Sequence, residues 1–303
     1  MARSDADPQN PWLYNPSLAA AIVIAHVYFL TTAVHIFQAT HYRTRFCIPL
    51  IIGGLWETLG YAIRAAGSRN EESVALYALQ LTLVVLAPAF VAAFNYMLFG
   101  RILRTFSSDA KPTALGVSDT WVTRIFVGFD VVSFLTQSAG AAILAGAKED
   151  VKKSNTGQNI VIGGLVLQLI AFSFFTAVAI RFHLKMKRAQ RLLGSVTQER
   201  VREWRPLLLC LYASCLLIMI RSVYRIVEFG QGFDGYLISH EVYFYVLEAV
   251  PMMPPFILFN IFHPGRIVKG GFIKPNNAAK QPVVLEEEFK SSGDGTDLSD
   301  ERL

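Results

Sequence analysis

The hydrophobic pattern of the chain consists of seven long apolar stretches separated by shorter polar connections. Each stretch is close to the length of about 20 residues that crosses a bilayer as an α-helix. Because lipid offers no hydrogen bonds to the backbone, an apolar stretch of this length predicts a helix. The chain is therefore predicted to be an all-α, seven-span transmembrane helix bundle. The predicted spans are 17–38, 46–66, 74–101, 121–145, 158–182, 206–229 and 241–263.

Polar side chains interrupt the last two stretches at helical spacing. They are Arg221, Arg225 and Glu228 in the sixth, and Glu241, Tyr245 and Glu248 in the seventh. At about 100° per residue, positions seven apart lie within about 20° of each other, so each helix carries one charged stripe. A stripe of this kind is unfavourable against lipid, and we expect both stripes to face the interior of the bundle.

The composition agrees with a membrane protein. The chain has 303 residues, of which 53% are hydrophobic and 17% charged, and it is too apolar for an ordinary soluble domain. Its three cysteines lie in or at the edge of the spans and are predicted to be packing thiols. The net charge of +5 comes from basic residues in loops beside the spans, so it does not indicate a nucleic-acid partner.

The loop charges predict the orientation of the bundle. Basic residues are concentrated in the connections 39–45, 101–120 and 183–205 and at the start of the tail. Positively charged loops remain in the cytoplasm, so the N-terminus is predicted outside and the C-terminus inside.

The orientation divides the chain into three parts. Residues 1–16 form an extracellular N-terminus and 17–263 the membrane domain. Residues 264–303 form a cytoplasmic tail, predicted to be mostly disordered because its sequence is polar and acidic.

The charges inside the spans carry a large energetic cost. Glu57, Asp130, Arg221 and Glu248 would together cost about 10–14 kcal/mol against lipid, at about 2.5–3.5 kcal/mol each. Two interpretations remain open. One is a dry ion-pair network, for instance Glu57 or Glu248 with Arg221, that fixes helix packing. The other is a polar cavity that opens towards the outer leaflet and binds a ligand.

The candidate cavity residues share one depth band. With the predicted orientation, Glu57 and Asp130 lie near mid-depth. The outer half contains Arg64, Gln137, Arg221, Arg225, Glu228, Glu241 and Glu248. Acids outnumber arginines in this set, so we expect such a cavity to accept an amphiphile with a cationic amine.

Catalytic templates are absent from the sequence. It contains no phosphate-binding loop, no glycine-rich nucleotide fingerprint and no His-Glu-x-x-His motif. The six histidines are scattered over both sides of the membrane, so no metal-ligand cluster is predicted. We therefore expect no cofactor, no metal and no enzymatic activity.

Several short motifs occur in a specific order and depth. They are Tyr14-Asn15-Pro16, the segment from Glu57 to Arg64, Ala87-Pro88, Phe129-Asp130 with Gln137, Gly164 with Gln168, the segment from Arg221 to Glu228, His240-Glu241 with Tyr245, and His263-Pro264-Gly265. In these motifs the chain resembles the fungal lipid-translocating exporter family, also called RTA-like proteins. One departure is Glu248, where the family pattern usually has Asp.

The resemblance implies seven spans and movement of lipid-like molecules at the plasma membrane, such as export of sphingoid long-chain bases or of toxic amphiphiles. It also adds Tyr61, Gln168, His240 and Tyr245 to the candidate cavity. We expect a translocator whose partners are a lipid-like amphiphile and membrane lipids, with a cavity built by helices 2, 4, 6 and 7. The alternatives are a seven-span receptor or lipid sensor with a cytoplasmic partner and, less favoured, an intramembrane lipid hydrolase.

Overall fold

The structure is a computed structural model that describes residues 12, 14–70, 72–106, 113–114, 117–146, 150–193, 195–232 and 235–266. The predicted tail lies outside the described residues from position 267 onwards. The helices are α1 (Leu18–Tyr42), α2 (Ile48–Gly67), α3 (Val74–Phe106), α4 (Asp119–Gly146), α5 (Val151–Leu193), α6 (Ser195–Gly230), α7 (Glu241–Phe244) and α8 (Val250–Ile261). A 3₁₀ turn (Arg45–Cys47) precedes α2, and a π-helical turn (Tyr245–Ala249) joins α7 to α8. Two short strands, β1 (Thr113–Ala114) and β2 (Val117–Ser118), pair antiparallel with Thr113 opposite Ser118.

Within the described residues, seven helical segments are long and apolar enough to cross a membrane. The first six belong to α1–α6, and the seventh span (Glu241–Arg266) comprises α7, the π-helical turn and α8. The predicted all-α, seven-span architecture is confirmed. Helices α5 and α6 extend beyond the predicted spans, because α5 continues to Leu193 and α6 begins at Ser195. Most of the predicted basic connection 183–205 is therefore helical.

Local sequence sets the ends of the first two helices. The Ser17 hydroxyl accepts a hydrogen bond from the Ala20 N–H at 3.3 Å and caps α1. Helix α1 ends at Tyr42, and the C-cap residue Arg43 adopts a left-handed conformation with φ of 52°. Pro49 lies in the first turn of α2, where no intrahelical N–H donor is required.

Glycines allow close approach at two helix interfaces. A Cβ on Gly60 of α2 would lie 2.6 Å from Val84 Cγ2 on α3. A Cβ on Gly140 of α4 would lie 2.8 Å from the Gly157 carbonyl oxygen on α5. Small residues let transmembrane helices pack backbone to backbone, so these positions draw α2 against α3 and α4 against α5.

Side chains of α1 bind the backbone of the seventh span. Tyr28 donates to the Ala249 carbonyl at 2.8 Å, His35 Nε2 lies 2.9 Å from the Phe256 carbonyl, and Gln38 donates to the Asn260 carbonyl at 3.0 Å. Polar contacts of this kind are satisfied inside the bundle because the surrounding lipid has no donors or acceptors. The three cysteines are free and buried, as predicted for packing thiols.

Candidate functional site

A buried ion-pair network joins α6 to the seventh span. One oxygen of Glu248, Oε1, accepts hydrogen bonds from both Arg221 and Arg225, and the Arg225 contact is 2.6 Å. The Glu248 side chain is fully enclosed, with 0% of its surface exposed. Arg221 also donates to the Val84 carbonyl of α3 at 3.0 Å. The network therefore connects three of the spans at one point.

A second carboxylate completes the pairing of Arg225. Glu228 Oε2 accepts from Arg225 Nη1 at 2.7 Å, and its other oxygen accepts from the Tyr224 hydroxyl at 2.9 Å. Buried charges are tolerated when they are paired and hydrogen-bonded, and this arrangement meets both conditions. Here the charged stripe predicted on the sixth span faces the bundle interior.

A separate cluster surrounds Arg64 of α2. Its guanidinium donates to Glu241 at 2.7 Å, to the Tyr245 hydroxyl at 3.0 Å and to the Tyr14 hydroxyl at 2.9 Å. It also lies over the Phe244 ring, 4.4 Å from the centroid. Burial raises the pKa of Tyr14 above its ordinary value, so this hydroxyl keeps its proton at neutral pH.

Glu241 also connects the seventh span to the start of α1 through hydrogen bonds. Its carboxylate accepts from the Ser17 backbone N–H at 2.8 Å and 3.1 Å. A negative charge at a helix N-terminus is favourable because the free N–H groups there carry partial positive charge.

Two of the predicted carboxylates have no hydrogen-bond partner. Both oxygens of Glu57 and both of Asp130 are sealed from the surface and unpaired within the described residues. Glu57 is 1% exposed and Asp130 5% exposed. The Tyr96 hydroxyl is close enough to interact with Asp130, although the two groups do not meet hydrogen-bond geometry. Glu57 makes no hydrogen bond to the Glu248 network but lies within electrostatic range of Arg221, Glu248 and Arg225.

A cavity of about 340 Å³ lies between α3, α4, α5 and α6. Its polar wall contains Gln137, Gln168, Arg221 and Arg225, and Gln137 donates to Gln168 at 3.1 Å. The rest of the lining is largely apolar, including Val85, Phe134, Val161, Leu165 and Phe229. Ligand pockets typically measure about 300–1,000 Å³, so this cavity is large enough for a head group and part of a chain.

The cavity opens sideways, between α3 and α4. Its lining residues Thr82, Ser138 and Ala141 are exposed on the outer surface of the spans, whereas Leu165, Arg221 and Arg225 at its inner wall are buried. The exposed surface of a span faces lipid, so the mouth connects the arginines with the acyl-chain region. The cavity lies in the half of the bundle next to the α2–α3, α4–α5 and α6–α7 connections.

The structure divides the predicted site residues among five locations. Gln137, Gln168, Arg221 and Arg225 line the cavity. Glu228 and Glu248 pair with the arginines, Arg64 binds Glu241 and Tyr245, and Glu57, Tyr61 and Asp130 are buried away from the cavity lining. His240 precedes α7 and contacts the Tyr236 carbonyl at 2.8 Å. The prediction of one interior site built by helices 2, 4, 6 and 7 therefore differs from the observed cavity, to which spans 2 and 7 contribute no lining residue.

The π-helical turn explains part of this difference. A uniform rotation of 100° per residue places Glu241 and Glu248 on one stripe. The turn Tyr245–Ala249 begins after Glu241 and contains Glu248, and its wider hydrogen-bond step shifts the helical phase. As a result Glu241 pairs with α2 and Glu248 pairs with α6.

Sequence reasoning missed several residues that contribute to the site. Tyr14 and Tyr224 each bind a charged group, and Thr82, Phe134 and Ser222 line the cavity. Three of them have a recognisable signal, because Tyr14 belongs to the Tyr14-Asn15-Pro16 motif and Ser222 and Tyr224 lie in the segment from Arg221 to Glu228. No local pattern marks Thr82 or Phe134, since their role depends on which helices are neighbours.

The described part of the chain contains no group of three His, Cys, Asp or Glu side chains that could hold a metal ion. The fold and the site together define an integral multi-pass membrane protein, with a buried ion-pair network and a laterally open cavity that share two arginines.

The chain belongs to the family described as RTA1 like protein, whose family model matches residues 50–271. The resemblance inferred from the motifs is thereby confirmed.

Three fungal relatives show how far the similarity extends. Protein RTM1 of Saccharomyces cerevisiae is 39% identical over 70% of this chain and 65% of its own length. Protoporphyrin uptake protein 1 of the same species is 38% identical over 71% of this chain and 67% of its own length. The sphingoid long-chain base transporter RSB1 is 25% identical over 84% of this chain and 73% of its own length. The chain thus spans about two thirds of the length of the first two of these relatives. No solved structure matches the chain.

Proposed function

We propose that this protein moves lipid-like amphiphiles across a membrane through the cavity between α3 and α6. The observation that carries the proposal is the combination of a polar inner wall with a lipid-facing mouth. An amphiphile in the bilayer has its chain in the acyl region and needs a polar path only for its head group. The mouth between α3 and α4 admits the chain, while the arginines and glutamines receive the head group.

The relatives support this function. One is named for protoporphyrin uptake and another for transport of sphingoid long-chain bases, and both cargoes are amphiphilic. Because these names describe movement of a molecule, we infer that this chain also acts as a transporter and catalyses no covalent reaction.

We infer an orientation with the N-terminus outside and a location in the plasma membrane. The basic connections support the orientation through the positive-inside rule. With that orientation the cavity lies in the outer half of the membrane, where it can take up or release an amphiphile from the outer leaflet.

The direct test is flux of a fluorescent amphiphile in proteoliposomes, with a variant that blocks the mouth. Ala141 is exposed and lines the cavity, so in Ala141→Trp the indole fills the opening between α3 and α4. The matched control is Ala142→Trp, because Ala142 is also exposed on α4 but does not line the cavity. We expect flux with the natural protein and with the control, and loss of most flux with Ala141→Trp.

Each result has a distinct meaning. Equal flux in both tryptophan variants would exclude this cavity as the path. Binding of the amphiphile without flux would support a receptor or lipid sensor instead, and chemical conversion of the probe would indicate an enzyme.

A further inference from the structure

We propose that Arg221 binds an anionic head group, a carboxylate or a phosphate, of the amphiphile that enters this cavity. The proposal rests on the proposed function for its site and names the substrate class. It differs from the expectation of a cationic amine, which followed from the excess of acids in the sequence.

The carboxylates of the bundle do not face the cavity. Among the described lining residues the only charged side chains are Arg221 and Arg225. Glu248 lies behind these arginines and accepts hydrogen bonds from both of them. Glu57 and Asp130 have sealed oxygens and are absent from the lining. A ligand in the cavity therefore meets guanidinium groups rather than acids.

Arg221 has unused hydrogen-bonding capacity, whereas Arg225 is nearly saturated. Both terminal nitrogens of Arg225 are bonded, to Glu228 and to Glu248. Arg221 uses only Nη2, which donates to Glu248 and to the Val84 carbonyl. Its Nη1 makes no hydrogen bond within the described residues. The Nε atoms of both arginines are unpaired there but sealed from the surface, so Nη1 is the nitrogen that distinguishes Arg221. A guanidinium that is only 5% exposed and lines a cavity with unpaired donors is favourably placed for an acceptor.

The polar groups beside Arg221 also favour a ligand that accepts hydrogen bonds. In the bond from Gln137 to Gln168, the amide nitrogen of Gln168 remains free to donate. It lines the cavity together with Arg221. The Ser222 and Thr82 hydroxyls already donate to backbone carbonyls of their own helices. The cavity thus offers two free nitrogen donors to a carboxylate or phosphate, while an ammonium group would face two guanidinium groups in a poorly screened environment.

The test uses binding, which is independent of flux. Four probes with the same sixteen-carbon chain are hexadecanoate, hexadecyl phosphate, hexadecylamine and hexadecanol. They compete with a fluorescent fatty acid for the protein in phosphatidylcholine nanodiscs. We expect hexadecanoate or hexadecyl phosphate to bind at least about tenfold more tightly than hexadecanol. Hydrogen bonds to charged groups are stronger than neutral ones by a free energy that corresponds to about tenfold in the dissociation constant. Hexadecylamine is expected to bind most weakly, and the two anions distinguish a carboxylate site from a phosphate site.

Two variants assign the preference to Arg221. Arg221→Gln replaces the charged guanidinium with a neutral amide and is expected to abolish the difference in affinity between hexadecanoate or hexadecyl phosphate and hexadecanol. Arg221→Gln also removes one ion-pair partner of Glu248. The double variant Arg221→Gln with Glu248→Gln removes one positive and one negative charge together, so it tests Arg221 without changing the net charge of the network. Gln168→Leu is expected to weaken anion binding less than Arg221→Gln. Thermal unfolding of each variant confirms that the protein tested is folded.

The outcomes separate this proposal from the transport proposal. Tighter binding of hexadecylamine, an anion preference that persists without Arg221, or no binding of any probe would overturn the anionic head-group site. Arg221-dependent anion binding combined with unchanged flux in Ala141→Trp would uphold the site and refute the transport path. Flux that is blocked by Ala141→Trp but independent of head-group charge would uphold the transport path and refute the anionic head-group site.

Discussion

Replacing Glu248 with glutamine tests the central ion-pair network. In Glu248→Gln the amide oxygen can still accept a hydrogen bond, but the negative charge shared by Arg221 and Arg225 is lost. Arg225 retains Glu228 at 2.7 Å. Arg221 then has no hydrogen-bonded carboxylate within the described residues, although Glu57 lies within electrostatic range. The variant therefore leaves one buried guanidinium without an ion-pair partner.

The structure allows the size of the effect to be worked out. Breaking a buried ion pair by removing one partner costs about 3–5 kcal/mol, and the Glu248 side chain is 0% exposed. A neutral hydrogen bond to the new amide recovers about 1 kcal/mol, so the free energy of unfolding should fall by about 2–4 kcal/mol. Native proteins have a total stability of about 5–15 kcal/mol, so this loss is measurable.

The matched control is Glu57→Gln, the same chemical change at another buried glutamate. Glu57 is 1% exposed and lies on α2, and neither of its oxygens has a hydrogen-bond partner. Because no hydrogen bond is lost, we expect its unfolding free energy to change by less than about 1 kcal/mol. Unfolding in mixed micelles by titration with sodium dodecyl sulfate measures both variants. Equal losses at the two positions would refute the reasoning, since the effect would then follow burial and not pairing.

Three further predictions use the same unfolding assay or simple labelling. Arg64→Lys is expected to lower the free energy of unfolding by about 2–4 kcal/mol, because Arg64 makes three side-chain hydrogen bonds. Tyr14→Phe is expected to lower it by about 1 kcal/mol, because Tyr14 accepts one of these bonds. Equal losses in the two variants would contradict this assignment. Gly60→Ala is expected to destabilise by about 1–3 kcal/mol, because the new Cβ lies 2.6 Å from Val84 Cγ2. Gly163→Ala, whose Cβ meets no atom within 4 Å, should be neutral or slightly stabilising, and a large loss there would count against the packing argument. The three cysteines are buried, so a maleimide should label the native protein slowly and the denatured protein completely, whereas rapid native labelling would contradict their burial.

The ion-pair network and the cavity were alternatives at the level of sequence, and the structure contains both. Arg221 and Arg225 belong to each of them. The pairing with Glu248 offsets the cost of placing two guanidinium groups in a membrane, and the cavity lies beside those groups. A binding site that uses charge inside a bilayer requires such support, because an isolated charge there is strongly unfavourable. Stability and ligand binding are therefore expected to be coupled at Arg221.

Much of the architecture and part of the site were predictable from the sequence. Span number follows from the length of the apolar runs, which is a local property of the chain. That Glu57, Arg221 and Glu248 avoid lipid follows from the cost of burying a charge in hydrocarbon, whatever the neighbouring helices are. The predicted interior positions of these three residues agree with their burial in the structure.

Tertiary structure decided which groups meet. The sequence left Arg221 with Glu57 or Glu248 as a partner, and only the packed bundle shows that Glu248 binds it while Glu57 is unpaired. Pairing depends on the rotation and offset of each helix, and the π-helical turn Tyr245–Ala249 changes that rotation within the seventh span. The position of the cavity likewise depends on gaps between neighbouring helices, which no single helix encodes. The length of an apolar stretch and the energetic cost of a charge in lipid can be read from one segment of the chain. Which segments contact each other depends on the whole fold.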